Sequence, residues 1–248
     1  MPSKRIIWAG VVLLVVLGIS SIVLNDCSHG RSTPTIDTGI EKRNEIRKAA
    51  ERGDAKSQFL LGSYYTVGCD VIQDDVKAAT WYRKAADQGY AEAQNRLGLC
   101  YYHGNGVIKD DAESTKWLRK AADQGYAEAQ FNLGRTYKKG IGVVKDETEA
   151  VKWFRKAADQ GQAGAQLELW ECYTTGTGVI KDEAAAAKWL CKVVEQGYYV
   201  DSFQLQLGKY YENGIGVAKD ETEAVRWYRK AADQGNAEAK EALRKLGK

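Results

Sequence analysis

An all-α stack of helical hairpins is the fold class this sequence predicts. The hexapeptide KAADQG recurs at residues 84–89, 120–125, 156–161 and 230–235. Between its copies, apolar residues return at helical rather than alternating spacing. The 248 residues hold only two prolines, and 28% are charged, a composition that favours helix over sheet.

From the N-terminus, Lys4 and Arg5 precede Ile6–Leu24, nineteen residues without a charge. At about 1.5 Å per helical residue such a run spans a hydrocarbon core, so residues 1–24 are expected to be a hydrophobic helix serving as an anchor. The positive flank places that end in the cytoplasm, leaving the remainder in the periplasm of a single-pass inner-membrane protein. Gly18, Ser20 and Ser21 keep a cleaved signal open, with a soluble periplasmic or secreted product. A lipidated Cys27 is disfavoured by Asp26 before it. Residues 25–38 are polar, with Gly30, Ser32 and Pro34, and are expected to form a linker.

Residues 39–248 carry the repeat. A half-unit at Glu41–Gly53 precedes five full units beginning near 55, 91, 127, 163 and 201, and a closing helix follows at Ala237–Leu246. A period in the thirties marks a solenoid, in which each unit buries its apolar face only against its neighbours.

The third unit parses most clearly. Ala127, Phe131, Gly134 and Tyr137 give a first helix one apolar stripe, which Gly140 and Gly142 end. Asp146 with Glu149 predicts a capping box for the second helix, as do Asp110 with Glu113 and Asp220 with Glu223. Ala150, Trp153, Phe154, Ala157 and Ala158 form its packing face. In KAADQG the alanines are expected to meet the partner helix, Lys, Asp and Gln to face water, and Gly to stop the turn. Trp81, Trp117, Trp153, Trp189 and Trp227, one per unit, supply buried area, each indole N–H needing an acceptor if buried. Tyr65, Tyr101, Tyr137, Tyr173 and Tyr211 recur and are assigned to packing.

The pattern Ala…Leu-Gly…Tyr…Gly-x-Gly-Val…Asp…Ala…Trp…Lys-Ala-Ala…Gly resembles the Sel-one-like repeat, a relative of the tetratricopeptide repeat, from about Ala55 to Gly235. The resemblance implies a right-handed α/α superhelical solenoid of helix-turn-helix repeats, its concave surface lined mainly by first helices. It also implies an interaction scaffold or adaptor, in bacteria often at the envelope, with no shared catalytic residues to carry over.

Positions that differ between units are candidates for recognition. Leu60, Arg96, Asn132, Glu168 and Gln206 share one register, Ser63, Leu99, Arg135, Glu171 and Lys209 a second, and Thr66, Tyr102, Lys138, Thr174 and Glu212 a third. On the inner curve they would form a mixed surface for a protein partner. The fourth unit deviates most: Trp170 replaces a glycine, Val193 and Val194 replace the alanine pair, and extra residues follow near Tyr198–Val200. Two readings stand there: an exposed aromatic notch anchored by Trp170, Tyr198 and Tyr199, or mutual packing adjustment with nothing bound. Cys69 and Asp70 predict a looser turn in the first unit.

The formal charge of +3, from 36 basic against 33 acidic residues, argues against nucleic acid as a partner. His29 and His103 are the only histidines, too few for a triad or zinc site, and Cys27, Cys69, Cys100, Cys172 and Cys191 form no C-x-x-C. Gly104–Gly106 and Gly140–Gly142 lack the preceding strand of a phosphate loop. No cofactor, metal or small-molecule substrate is expected. The leading expectation is a non-enzymatic scaffold of the bacterial envelope holding a protein partner, with membrane contact through residues 6–24 if uncleaved. Two alternatives come from the resemblance: an immunity protein neutralising a secreted effector such as a phospholipase, and a cell-wall or β-lactam hydrolase.

Overall fold

The computed structural model describes residues 36–68, 71–197 and 200–248. They form twelve α-helices and no strand: α1 (Ile36–Glu51), α2 (Ala55–Val67), α3 (Asp75–Asp87), α4 (Ala91–His103), α5 (Asp111–Asp123), α6 (Ala127–Lys139), α7 (Glu147–Asp159), α8 (Ala163–Thr175), α9 (Glu183–Glu195), α10 (Val200–Asn213), α11 (Glu221–Asp233) and α12 (Ala237–Lys245). The chain is thus an all-α array of solenoid-type hairpins, α2–α3 through α10–α11, flanked by α1 and α12. It divides into two compact units, residues 1–129 and 130–248. The apolar leader, Cys27, His29, the Cys69–Asp70 turn, Tyr198 and Tyr199 lie outside the described residues. Helix α1 begins at Ile36, inside the stretch expected to be linker through residue 38. Among the described residues no helix is long and apolar enough to cross a membrane.

Each hairpin turns on its glycines. At the end of α4, Gly104 adopts a left-handed φ of 77° and its N–H bonds the Cys100 carbonyl at 2.8 Å. Two residues on, a Cβ at Gly106 would stand 1.9 Å from the Asp75 carbonyl oxygen. The turn of one hairpin therefore rests on the first turn of the second helix in the hairpin before it. In the second unit Gly178 meets the Glu147 carbonyl and Gly216 the Glu183 carbonyl in the same way, at 2.3 and 1.9 Å.

Second helices open on aspartate caps. The Asp146 carboxylate accepts from Glu149 N–H at 2.9 Å, and Asp110, Asp182 and Asp220 act alike. The predicted reciprocal arm is replaced, because the Asp146 N–H donates to the Tyr137 carbonyl at 3.0 Å, which ties the second helix to the first. Glu149 instead pairs with Lys152, as Glu113 does with Lys116 and Glu223 with Arg226.

In four of the five hairpins the helices meet through a glycine. A Cβ at Gly62 would lie 2.8 Å from the Tyr82 ring, and one at Gly208 2.5 Å from the Tyr228 ring. Tyr82 is 3% and Tyr228 0% exposed, and burying an aromatic of this size is worth roughly 1.5–3 kcal/mol.

The hexapeptide does more than the sequence suggests. Its alanines are buried, Ala232 only in part, and its glutamine, exposed as expected, also serves as a staple. Gln124 Nε2 donates to Gln94 Oε1 at 2.7 Å, while Gln94 Nε2 donates to the Ala86 carbonyl at 3.1 Å, so two side chains join three successive helices. Gln88 with Gln58, Gln160 with Gln130, and Gln234 with Gln204 repeat the side-chain bond. In the fourth hairpin it is missing, and the buried Gln166 Oε1 has no donor. The lysine is exposed as expected and also covers an indole: Lys120 and Lys156 each lie 3.9 Å from the centroid of the tryptophan three residues earlier, Trp117 and Trp153. The requirement for an indole acceptor fails at Trp117, Trp153 and Trp227, whose buried N–H groups have no hydrogen-bond partner.

Candidate functional site: the first-helix surface

The variable positions separate by side-chain length. At the register of Leu60, Arg96, Asn132, Glu168 and Gln206, burial differs from copy to copy. Leu60 and Asn132 end below the surface, both 8% exposed, whereas Arg96, Glu168 and Gln206 reach out and are half-exposed. Asn132 is thereby corrected from a surface candidate to a buried residue. Ser63, from the second register, is also buried, at 2%. Its hydroxyl accepts from the Tyr82 hydroxyl at 3.3 Å, and Thr66 lies 2.9 Å from the same group.

In the first unit Arg96, Leu99 and Tyr102 remain half-exposed on α4. Tyr102 carries His103 edge-on, ring centroids 4.7 Å apart. The Arg96 guanidinium turns Nη2 into the protein, where it finds no acceptor. Its field acts on Tyr82, Cys100 and Tyr126. Burial still dominates at Cys100 and pushes its thiol up to about 11.

In the second unit the candidates bond to one another. Lys138 on α6 reaches both Glu168 and Glu171 on α8, each at 2.8 Å, linking successive first helices. Burial pulls its ammonium down, but the hydrogen bonds to the two carboxylates more than reverse this, so its pKa is raised. Lys209 on α10 pairs with Glu238 on α12 at 2.5 Å. Arg135 stays exposed, its guanidinium 5.7 Å from the Phe131 centroid.

Trp170 is turned onto the next hairpin. Its Nε1–H donates to the Tyr210 hydroxyl at 3.0 Å, and Phe203 meets its ring edge-on at 5.5 Å. Phe203 occupies a register held elsewhere by Ser57, Ala93, Ala129 and Ala165, so the two exchanges compensate. This is the packing reading of the fourth unit; the proposed notch partners Tyr198 and Tyr199 lie outside the described residues.

Nucleophilic sulfur is disfavoured on this frame. Burial pushes the Cys172 thiol to about 11 and raises that of Cys191. Cys100, Cys172 and Cys191 are free.

The sequence reading missed a set of turn residues. Ile72, Ile108, Val144 and Ile180 are 89%, 91%, 88% and 90% exposed. Their signal was a β-branched residue kept two positions before the cap aspartate, where neither helical spacing nor turn chemistry asks for one.

Stacked hairpins with a constant frame and a changing first-helix surface define a helical-repeat interaction protein. Residues 55–90, 91–126, 127–162, 163–198 and 202–236 each match the Sel1 repeat model, and the chain belongs to the Sel1 repeat family. It is similar to c5321, a protective antigen of uropathogenic Escherichia coli strains displaying an SLR fold, with 36% identity and a TM-score of 0.76 over 88% of this chain and 45% of that one. It is similar also to a Sel1 repeat protein from Oxalobacter formigenes, with 35% identity and a TM-score of 0.77 over 91% of this chain and 64% of that one. The chain thus spans less than two thirds of either protein's length. A structure from Klebsiella pneumoniae, at 20% identity and a TM-score of 0.51 over 83% of this chain and 99% of that one, shares the fold. The search of curated proteins found no match. Sel1 repeat proteins act as protein-interaction scaffolds and are generally non-catalytic.

Proposed function

We propose that this chain is a non-enzymatic scaffold of the bacterial cell envelope, held at the inner membrane by residues 6–24 with its repeats in the periplasm, that grips a protein partner through its first helices. The observation that carries the reading is the contrast between registers. Residues that build the hairpins recur from unit to unit, while the half-exposed residues of α4, α6, α8 and α10 change in charge and size. Arg96, Leu99 and Tyr102 in the first unit, and Arg135 with the Lys138–Glu168–Glu171 cluster and Gln206 in the second, are the surface such a partner would meet. Lys209, already paired with Glu238, lies at its margin.

The test compares capture from envelope extracts by the full chain and by a variant carrying Arg96→Glu, Arg135→Glu and Glu171→Lys. The reading expects a partner recovered by the first and lost by the second, with the variant still folded by far-UV circular dichroism. Equal recovery by both removes the assigned surface. Recovery of the protein in the soluble periplasmic fraction, with an intact mass lacking the leader, replaces the anchor with a cleaved signal.

A further inference from the structure

Among the described residues, large apolar side chains exposed to solvent occur at one kind of place. Ile72, Val76, Ile108, Val144 and Ile180 are 64–91% exposed, and all lie in the segment running from the hairpin turn into the first turn of a second helix. Single exposed apolar residues are ordinary, but several brought together mark an interaction site. Here the backbone brings them together. In the first unit Gly106 packs on the Asp75–Val76 backbone, which sets the turn carrying Ile108 directly against the helix start carrying Val76, with Ile72 in the turn before it. In the second unit Gly178 packs on Glu147, setting the turn carrying Ile180 against the helix that follows Val144.

These apolar tips sit in an acidic frame. Segments 71–77 and 107–113 of the first unit carry five carboxylates, Asp74, Asp75, Asp110, Asp111 and Glu113, against Lys77 and Lys109. Segments 143–149 and 179–185 of the second carry the same ratio, five against Lys145 and Lys181. The lysines are already paired, Lys77 with Asp74, Lys109 with Asp111, Lys145 with Glu147 and Lys181 with Glu183, and Lys116 and Lys152 hold Glu113 and Glu149, which leaves Asp75, Asp110, Asp146 and Asp182 without an ion pair among the described residues. With Lys116 and Lys152 counted and the helix starts contributing about half a positive charge each, every edge keeps an excess of about one negative charge. An anionic lipid surface is repelled by such an edge, and a second copy of it would bring like charges together.

We propose that the turn edge of each unit is a second docking surface, separate from the first helices, for a cationic amphipathic segment of a partner protein. Its apolar side chains would cover Ile72, Val76 and Ile108, or Val144 and Ile180, while its Lys or Arg residues meet Asp75 and Asp110, or Asp146 and Asp182. This reverses one premise of the sequence reading, since here a residue type that recurs in successive units serves recognition rather than the frame.

The probe is a synthetic 18-residue Leu/Lys amphipathic helix, with a Leu/Glu peptide of the same pattern beside it, titrated into the full chain by fluorescence anisotropy. The expected result is binding of the Leu/Lys peptide that weakens as salt rises, at least tenfold above the Leu/Glu peptide. Two double variants, Ile72→Thr with Ile108→Thr and Val144→Thr with Ile180→Thr, should each weaken it, and their combination at least tenfold, without change in thermal stability. The Arg96→Glu, Arg135→Glu, Glu171→Lys variant should bind the peptide as the unaltered chain does, which separates this surface from the first-helix one. Unchanged affinity in the combined threonine variant overturns the proposal. Equal binding of the Leu/Glu peptide, flotation with phosphatidylglycerol vesicles lost in the threonine variant, or self-association abolished by it would each overturn it too.

Discussion

Gly214 and Gly216 lie in one turn with nearly the same backbone, φ 69° and 67°, yet face different surroundings. A Cβ at Gly214 would touch Lys219 and Val217 at 3.4 to 3.6 Å, ordinary contact, whereas one at Gly216 would stand 1.9 Å from the Glu183 carbonyl oxygen and 2.4 Å from its carbon. Gly214→Ala therefore carries only the left-handed strain, about 1–2 kcal/mol. Gly216→Ala carries that strain and must also push the turn off the start of α9, an overpacking cost of about 1–3 kcal/mol more. For a chain of this size about 2–4 °C accompanies each kcal/mol, so Gly216→Ala should melt roughly 2–12 °C below Gly214→Ala. Thermal unfolding followed by far-UV circular dichroism reads the difference directly. Equal melting of the two variants would refute the claim that consecutive hairpins approach closely through the space a glycine leaves.

Three further outcomes follow from the same contacts. Gln94→Ala removes the bond to the Ala86 carbonyl and the one from the Gln124 amide, which keeps its bond to the Lys120 carbonyl, and should cost about 1–2 kcal/mol in urea unfolding, while Gln166→Ala, whose Oε1 has no donor, should cost less. Trp170→Ala leaves a gap beside Phe203 and the Tyr210 hydroxyl without its donor, so a loss of about 2–4 kcal/mol is expected, and Trp170→Phe should recover much of the packing without the hydrogen bond. Hydrogen bonds from the Ser57 hydroxyl and N–H hold the Asp54 carboxyl below its usual value. Its contribution is therefore present above the unfolded pKa of about 3.9 and fades as pH falls through the lower folded value. Asp54→Ala should cost about 1 kcal/mol at pH 7, and the gap to the unaltered chain should narrow below about pH 4; a gap that widens there would contradict the cap.

Why some of this was legible before the fold and some was not follows from distance along the chain. Hairpin spacing, glycine stops and aspartate caps are set within a turn or two of helix, where 3.6-residue periodicity and backbone hydrogen-bond needs act on neighbouring residues. They could be read from Gly140, Asp146 and the apolar stripe of α7. Bonds across thirty residues could not, because Gln88 and Gln58 each look like ordinary solvated glutamines until two helices bring them within 2.7 Å. The same limit placed Asn132 on the surface. Register alone cannot say whether a short side chain clears its neighbours, as those of Arg96 and Glu168 do.

By itself, then, the sequence determined the class of fold, the number of hairpins and where each begins, since these depend on local propensity repeated five times. Tertiary structure alone decided which repeated residues are buried and which are displayed. KAADQG turned out to be a clasp of cation, indole and amide, Trp170 a wedge between hairpins, and Ile72, Ile108, Val144 and Ile180 a set of bare apolar tips. Exposure is a property of what packs beside a residue, and packing is fixed by parts of the chain that periodicity does not connect.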